Sequence, residues 1–236
     1  MAKFKRILLK LSGEMLKGTA GGIDPDAVLA AANRIKEAVD KGVQVAIIIG
    51  AGNLFRGLAG SRTGMDRTCA DQMGMLATAM NALAMRDALE SLGLKAEIQS
   101  AFAIAGVLKP FDQREACRLL DNGTIVLFAA GTGHPYFTTD TTAALRACEI
   151  KAEAVFKGTK VDGIYDSDPF KNPNAKRYET ITFSQALSDR LNVMDSTAFS
   201  LCQDNNLQIM VFKFGVPGVL GNIIDGDLSA ATLVTL

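Results

Sequence analysis

A short, wholly apolar run that leads through a loop of glycines and hydroxyls into an Ala/Leu segment leaves a chain few folds to choose from. Residues 124–148 form such a stretch. Thr124-Ile-Val-Leu-Phe-Ala-Ala-Gly131 is rich in β-branched and aromatic residues and closed by glycine, the pattern of a strand buried on both faces of a parallel sheet. Thr138, Thr139 and Asp140 stand ahead of Thr141-Thr-Ala-Ala-Leu-Arg-Ala-Cys148. That order predicts a helix start, because short oxygen-bearing side chains accept the first free N–H groups of a helix. Between the two, Thr132-Gly-His-Pro-Tyr-Phe137 offers glycine-freed backbone and hydroxyls aimed at a helix N-terminus, the makings of an anion cradle. The same residues also suit an ordinary βα turn needing Gly and Thr for geometry alone. For this loop by itself the two readings stand level.

The same strand-then-helix order runs along the chain. Lys5 to Leu11 predicts a strand that ends at Ser12-Gly13-Glu14. Lys10 inside it is costly to bury unless an anion meets it, although a lysine at a strand end can also snorkel to water. Snorkelling is the better reading of Lys10 alone; its place directly before Ser-Gly favours the anion. A glycine-rich loop, Lys17 to Gly22, precedes a helix opened by Asp24-Pro25 and running to about Asp40. Val43 to Ile49 is the clearest buried strand and ends at Gly50-Ala-Gly52-Asn53 with Arg56 close behind. Phe55 stands where a dinucleotide fingerprint needs its third glycine, and no G-x-x-x-x-G-K-[ST] occurs, so neither a Rossmann nor a P-loop site is indicated. Ser61 to Arg67 reads as a polar loop. Asp71 to Leu92 predicts a long helix that is apolar nearly all round from Met73 to Met85, with one face for a second subunit. Further strands are predicted at 95–100, 154–157, 208–212 and 232–236, and helices at 112–121, from Thr182, from Asp195 and within 216–224. The alternation predicts one mainly parallel sheet covered on both faces, in a single domain.

Charge and cysteine usage narrow the chemistry. Lys+Arg and Asp+Glu both number 25, so no global basic field gathers nucleic acid. The four cysteines are scattered and His134 is the only histidine, which disfavours zinc sites, disulfide frameworks and Ser-His-Asp catalysis. With no signal-peptide pattern and no apolar run near membrane-span length, the expectation is a soluble cytoplasmic protein.

Four separated signals stand in order: Lys10-x-Ser12-Gly13; Gly50-Ala-Gly52-Asn53 with Arg56; Gly131-Thr-Gly-His-Pro-Tyr-Phe-Thr-Thr-Asp140; and Thr159-Lys-Val-Asp-Gly-Ile-Tyr165 followed by Asp168-Pro169. The set resembles the amino acid kinase family. Asn53-Leu-Phe-Arg-Gly57 and Met73-Gly-Met-Leu-Ala-Thr78 make it similar to the bacterial branch of that family that phosphorylates UMP, over essentially the whole chain. The resemblance implies a three-layer α-β-α sandwich, UMP mainly toward the N-terminal part, ATP mainly toward the C-terminal part, and a homohexamer. It implies catalytic roles for Lys10 and Asp140, and an ATP site at Lys10, Ser12, Gly13, Gly52, Arg56, Thr159, Tyr165 and Asp168. UMP would be held by Ala51, Asp71, Thr132, Gly133, His134, Pro135, Tyr136, Phe137, Thr138 and Thr139. Gly18, Thr19, Ala20, Gly21 and Gly22 correspond to a region linked to GTP activation, with UTP as inhibitor. Mg²⁺ would arrive with ATP, with Asp140 or Asp195 in its outer shell and no direct protein ligand assigned. Ala51 departs from a usual glycine, and His134 from a common asparagine, bringing a similar donor or pH sensitivity. The loop after Gly18 is slightly shorter than in some relatives, which bears on GTP activation. A phosphate acceptor with a second pKa of ~6 is already mostly dianionic at neutral pH and needs no catalytic base. The alternatives are another kinase of this fold, a Rossmann oxidoreductase, and a non-catalytic nucleotide sensor or storage protein.

Overall fold

The alternation within one central strand decides the layers. The computed structural model describes residues 3–19, 21–55, 64–191 and 193–236, and β1 (Arg6–Leu11) lies at its middle, between β2 (Gln44–Ile49) and β6 (Ala154–Thr159). The other strands are β3 (Ala96–Ser100), β4 (Lys109–Pro110), β5 (Ile125–Ala129), β7 (Thr180–Thr182), β8 (Gln208–Lys213) and β9 (Ala231–Thr235). The helices are α1 (Pro25–Val39), α2 (Arg67–Ser91), α3 (Gln113–Asp121), α4 (Thr139–Glu149), α5 (Phe183–Ser188), α6 (Ser196–Asp204) and α7 (Val219–Ile224). Among the described residues the strands form one nine-stranded sheet in the order β4-β3-β5-β2-β1-β6-β8-β9-β7. Every pairing is parallel except β8 with β9.

Successive side chains of a strand point to opposite faces. Ile7, Leu9 and Leu11 therefore enter a core with α1, α2 and α7, whereas Leu8 enters one with α3, α4, α5 and α6. Both cores are dominated by Ile, Leu, Val, Phe and Ala, and each fully buried large aliphatic stabilises by roughly 1.5–3 kcal/mol. The result is the mainly parallel three-layer sandwich expected from the sequence.

Local chemistry sets the helix starts. Asp24, Asp66, Asp112, Thr138, Thr182 and Asp195 each accept a backbone N–H of the helix that follows, and Pro25 occupies the first turn of α1. α2 begins at Arg67, four residues before the predicted start, so Asp71 lies in its second turn rather than its first. The opening Arg-Thr-Cys-Ala carries no long apolar side chain, which hid that turn from the periodicity. The sequence reading also passed over β4 and β7 and a 3₁₀ turn at Gly13–Leu16.

Candidate active site

Parallel strands deliver their C-terminal ends to one rim of the sheet, and in open α/β sheets that rim is where ligands bind. Lys10 and Lys157 face each other there in the β1–β6 register. Two residues back, Leu8 and Val155 belong to the core under α4 and α6, so both lysines leave the sheet toward those helices. Asp140, in the first turn of α4, meets them. Its Oδ2 accepts from Lys157 Nζ at 2.7 Å, and its Oδ1 lies 2.8 Å from Lys10 Nζ. Each Asp140 oxygen is thus compensated by its own ammonium group. Lys157 Nζ also donates to the Val193 carbonyl at 2.6 Å.

The three side chains are 13–15% exposed, so their charges act in a poorly screened setting. Burial, the largest single influence, pushes the Asp140 carboxyl up, but the neighbouring Lys10 and Lys157 ammonium groups together outweigh it and hold it below the usual carboxylate range. For Lys157 burial is again the largest influence and lowers it; Asp140 opposes, Lys10 adds to the depression, and the net shift is downward. Two cations thus share one carboxylate, so these three side chains carry one net positive charge, with the Asp195 carboxylate also acting on Lys157.

The loops around it pack closely on one another. A Cβ on Gly13 would lie 2.3 Å from both Asn53 Oδ1 and the Gly50 carbonyl oxygen and 3.0 Å from Gly52 N, so only glycine lets the turn after β1 press against the turn after β2. Ser12 caps the 3₁₀ turn by accepting from Glu14 N at 3.3 Å. Gly50 in turn sits against Thr139 Oγ1, 3.3 Å from where its Cβ would be. The ends of β1, β2 and β5 therefore converge on one point.

The loop after β5 is tightly wound, with Ala130, Gly131, Gly133 and Tyr136 all at positive φ. Thr78 of α2 accepts from Ala130 N at 2.9 Å, and Thr132 Oγ1 accepts from His134 N at 3.2 Å. Asp71 Oδ2 accepts from Tyr136 N and from Arg67 Nε, each at 2.8 Å, and the Arg67 guanidinium lies 5.2 Å from the Tyr136 ring centre. Tyr136 and Phe137 nevertheless remain 66% and 51% exposed, an aromatic wall on the rim. Thr138 caps α4, and its hydroxyl together with that of Thr141 donates to Asp195. Asp195, which also caps α6, is thereby fully engaged.

Beyond Lys157 the chain turns out of β6 at Thr159, whose Oγ1 donates to the Val161 carbonyl at 2.6 Å. A cavity of about 410 Å³ follows, lined among others by Lys160, Tyr165, Phe170 and Lys213. Tyr165 OH donates to Asp162 at 2.6 Å, and Asp168 accepts from Phe170 N at 3.0 Å, shaping the turn at the cavity's edge. Of the three sequence candidates here, Tyr165 lines the cavity, while Thr159 and Asp168 shape the chain on either side of it.

Lys10 at the end of β1, Ser12, Gly13, Ala51, Gly52, Thr132, Gly133, His134, Pro135, Tyr136, Phe137 and Thr138 in the rim loops, and Thr139 and Asp140 in the first turn of α4 all lie along this rim, with Asp71 tied to them. Gly18 and Gly21 pair across a short bridge, and the Gly22 carbonyl accepts from Asn53 Nδ2 at 3.0 Å, so the segment with Thr19 abuts the β2 turn. Arg56 and Ala20 lie outside the described residues. Sequence reading missed Lys157, Arg67, Thr141 and Asn81. Lys157, like Lys10, interrupts an apolar strand near its end, but without the Ser-Gly turn that marks Lys10 the sequence alone gives it no partner.

Among the described residues no group of three His, Cys, Asp or Glu side chains is arranged to hold a metal ion. Asp140 is taken up by two lysines and Asp195 by hydroxyls and a backbone N–H. This donor set suits a Mg²⁺ ion carried on nucleotide oxygens and water rather than one caged by protein. No described helix is long and apolar enough to cross a membrane.

Comparison with known proteins gives a consistent picture. The amino acid kinase family matches residues 5–213. The chain is 54% identical over 225 residues to a uridylate kinase of Saccharophagus degradans, covering 95% of this chain and 91% of the relative. The UMP kinase of Bacillus anthracis superposes with a TM-score of 0.94 at 36% identity, covering 98% of this chain and 96% of that one. That of Ureaplasma parvum gives 0.93 at 38% identity, over 98% and 99% of the two chains. A uridylate kinase of Archaeoglobus fulgidus gives 0.73 at 27% identity, over the full length of both.

Proposed function

This chain belongs to the amino acid kinase family, and on that premise we propose that it transfers the γ-phosphoryl group of ATP to UMP, forming ADP and UDP. The observation that carries the reading is the pair of buried lysines sharing one aspartate at the rim of the sheet. Its surplus positive charge is what a phosphoryl group in flight requires, since such transfer rests on positioning and charge stabilisation rather than on covalent chemistry by the protein. UMP at neutral pH presents an oxygen already free of its proton, so no base is needed.

Lys10 donates to the non-bridging oxygens of the transferring group, while Lys157, held by Asp140 and the Val193 carbonyl, keeps a second positive charge beside it. Asp140 acts as a positioning residue: it holds both ammonium groups and takes no proton. Both its oxygens face lysines, which favours this role over the outer-shell magnesium role suggested by the sequence. Ser12, Gly13, Gly52 and Arg56 serve the phosphates on the ATP side, and Thr159, Tyr165 and Asp168 the adenosine. Ala51, Asp71 and residues 132–139 serve UMP, with the exposed Tyr136 and Phe137 closing over the nucleoside. Mg²⁺, when carried in on ATP, neutralises charge on the β- and γ-phosphates.

We extend the proposal to a single-domain cytoplasmic enzyme that assembles as a homo-oligomer. The outward side chains Met73, Leu76 and Met80 of α2 are 40%, 50% and 54% exposed, too much apolar surface for a helix facing water. A hexamer, GTP activation through residues 18–22, and inhibition by UTP belong to this reading on resemblance alone. The test is a coupled assay with ATP, Mg²⁺ and UMP, with CMP as competitor substrate. Turnover with a strong preference for UMP is expected; equal rates with CMP would overturn the substrate assignment.

A further inference from the structure

One side chain in the core under α2 is out of keeping with its surroundings. Ala79, Ala82 and Met85 of that helix are buried apolar residues, yet Asn81 among them is fully buried at 0% exposure. A buried amide is costly unless its hydrogen-bonding capacity is used. Here it is used. Asn81 Nδ2 donates to Asn53 Oδ1 and to the Gly50 carbonyl, each at 2.8 Å. Asn53 Nδ2 donates back to Asn81 Oδ1 at 3.0 Å and to the Gly22 carbonyl at 3.0 Å. The two amides thus form a reciprocal pair in which each N–H hydrogen has an acceptor.

This pair lies directly beneath the phosphate-facing turns. Asn53 Oδ1 and the Gly50 carbonyl oxygen, the two acceptors of Asn81, are the very atoms against which Gly13 packs so closely that no Cβ fits. Whatever fixes those two oxygens fixes the height at which the Ser12-Gly13 backbone sits beside Lys10. Asn81 does not itself reach the rim; it reaches the turn from below, from a helix anchored in the opposite layer.

We propose that Asn81 is a positioning residue for phosphoryl transfer, which sets the turn at residues 50–53 through Gly50 and Asn53 and thereby the glycine backbone that meets the reacting phosphates. The inference rests on the kinase reading given above. Its physical basis is the steepness of rate with geometry: a misplacement of about 1 Å can cost on the order of 10²-fold. A merely structural amide would leave no such trace, because the folded fraction would remain fully active.

The test compares Asn81→Leu with an Asn53→Leu/Asn81→Leu double variant. Leucine has the same branching as asparagine but cannot donate, so the single change strands the Gly50 carbonyl and the Asn53 amide. The expected result is a kcat lower by about 10²-fold, with KM for ATP and for UMP within about threefold of wild type. The double variant removes both halves of the pair, so melting temperature should recover in part, since unpaired buried groups cost more than absent ones, while kcat stays low. A single variant with kcat within threefold of wild type, or a double variant whose kcat returns with its stability, overturns the proposal. Should Asn81→Leu fail to fold, the double variant, with fewer stranded groups, carries the kcat comparison by itself. Wild-type turnover of UMP is measured first. Its absence would remove the kinase reading, whereas normal wild-type turnover beside an unaffected variant removes only the role of Asn81.

Discussion

Lys10 and Lys157 occupy matching places on adjacent strands, face the same carboxylate and are almost equally buried, yet they are held differently. Lys157 is fastened at two points, to Asp140 and to the Val193 carbonyl. For Lys10 the described contact is the ion pair with Asp140 alone. It also stands next to the Ser12-Gly13 turn, where the chain is stripped to glycine. A cation fixed by two acceptors keeps its place whether or not a ligand is present; a cation with donors to spare can turn them toward one. The contrast assigns Lys157 to holding the electrostatic frame and Lys10 to meeting the moving charge.

The sharpest way to break that division is Lys10→Met. A snorkelling lysine would be replaced at little cost. If Lys10 meets the transferring phosphoryl group, kcat and kcat/KM fall together by about 10²–10³, the scale for losing one preorganised donor. The fold and UMP affinity stay intact, because Lys157 still compensates Asp140. Steady-state kinetics beside a separate UMP titration decide it. A variant retaining more than about a tenth of wild-type kcat would place Lys10 outside the reacting shell.

A smaller effect, in the pH profile, tests Lys157. Burial, offset only partly by Asp140, holds its ammonium below the ordinary lysine value, so it gives up its proton earlier than a free lysine as pH rises. Below that pKa the charge is present and the rate is full; above it charge and rate are lost. The alkaline limb of kcat/KM in wild type, which reports the free enzyme, should therefore lie below the usual lysine range of about 10.4. Lys157→Met should lower kcat at neutral pH by about tenfold or more and abolish that limb. A limb unchanged in the variant would show that another group produces it.

How much of this was legible beforehand follows from the reach of each signal. The buried strands announced themselves because burial on both faces requires unbroken apolar runs, as in residues 45–49 and Ile125–Ala129. β4 escaped because its two residues are exposed and one is proline; β7 escaped because it buries only Ile181. In the site, Lys10 was readable from its neighbours Ser12 and Gly13, which carry their own meaning as a turn. Lys157 and Asn81 were not, since their meaning lies in partners far off in sequence. Lys157 needs the β1–β6 register to stand beside Lys10, and Asn81 needs the packing of α2 under the β2 turn. Within a helical pattern, a lone asparagine among alanines reads only as an interruption.

The smallest expected effect concerns the acceptor wall, where the same contrast between fixed and free groups recurs. Asp71 is fixed by Arg67 and by Tyr136 N, whereas the Tyr136 ring stays exposed beneath the Arg67 guanidinium. Arg67 therefore touches the acceptor loop twice, once through the Asp71 carboxylate and once through the ring. Removing it in Arg67→Ala leaves the Asp71–Tyr136 hydrogen bond in place but loses a half-exposed ion pair and an exposed cation–π contact, each worth on the order of 0.5–1 kcal/mol or less. The loop should then close less often over the nucleoside, raising KM for UMP by about two- to fivefold. KM for ATP and kcat at saturating UMP should not move, because the lysine cluster is untouched. A fall in kcat of more than threefold would mean that Arg67 acts on the chemistry as well as on the wall. The division between a fixed frame and a free acceptor face would then fail at this end of the site.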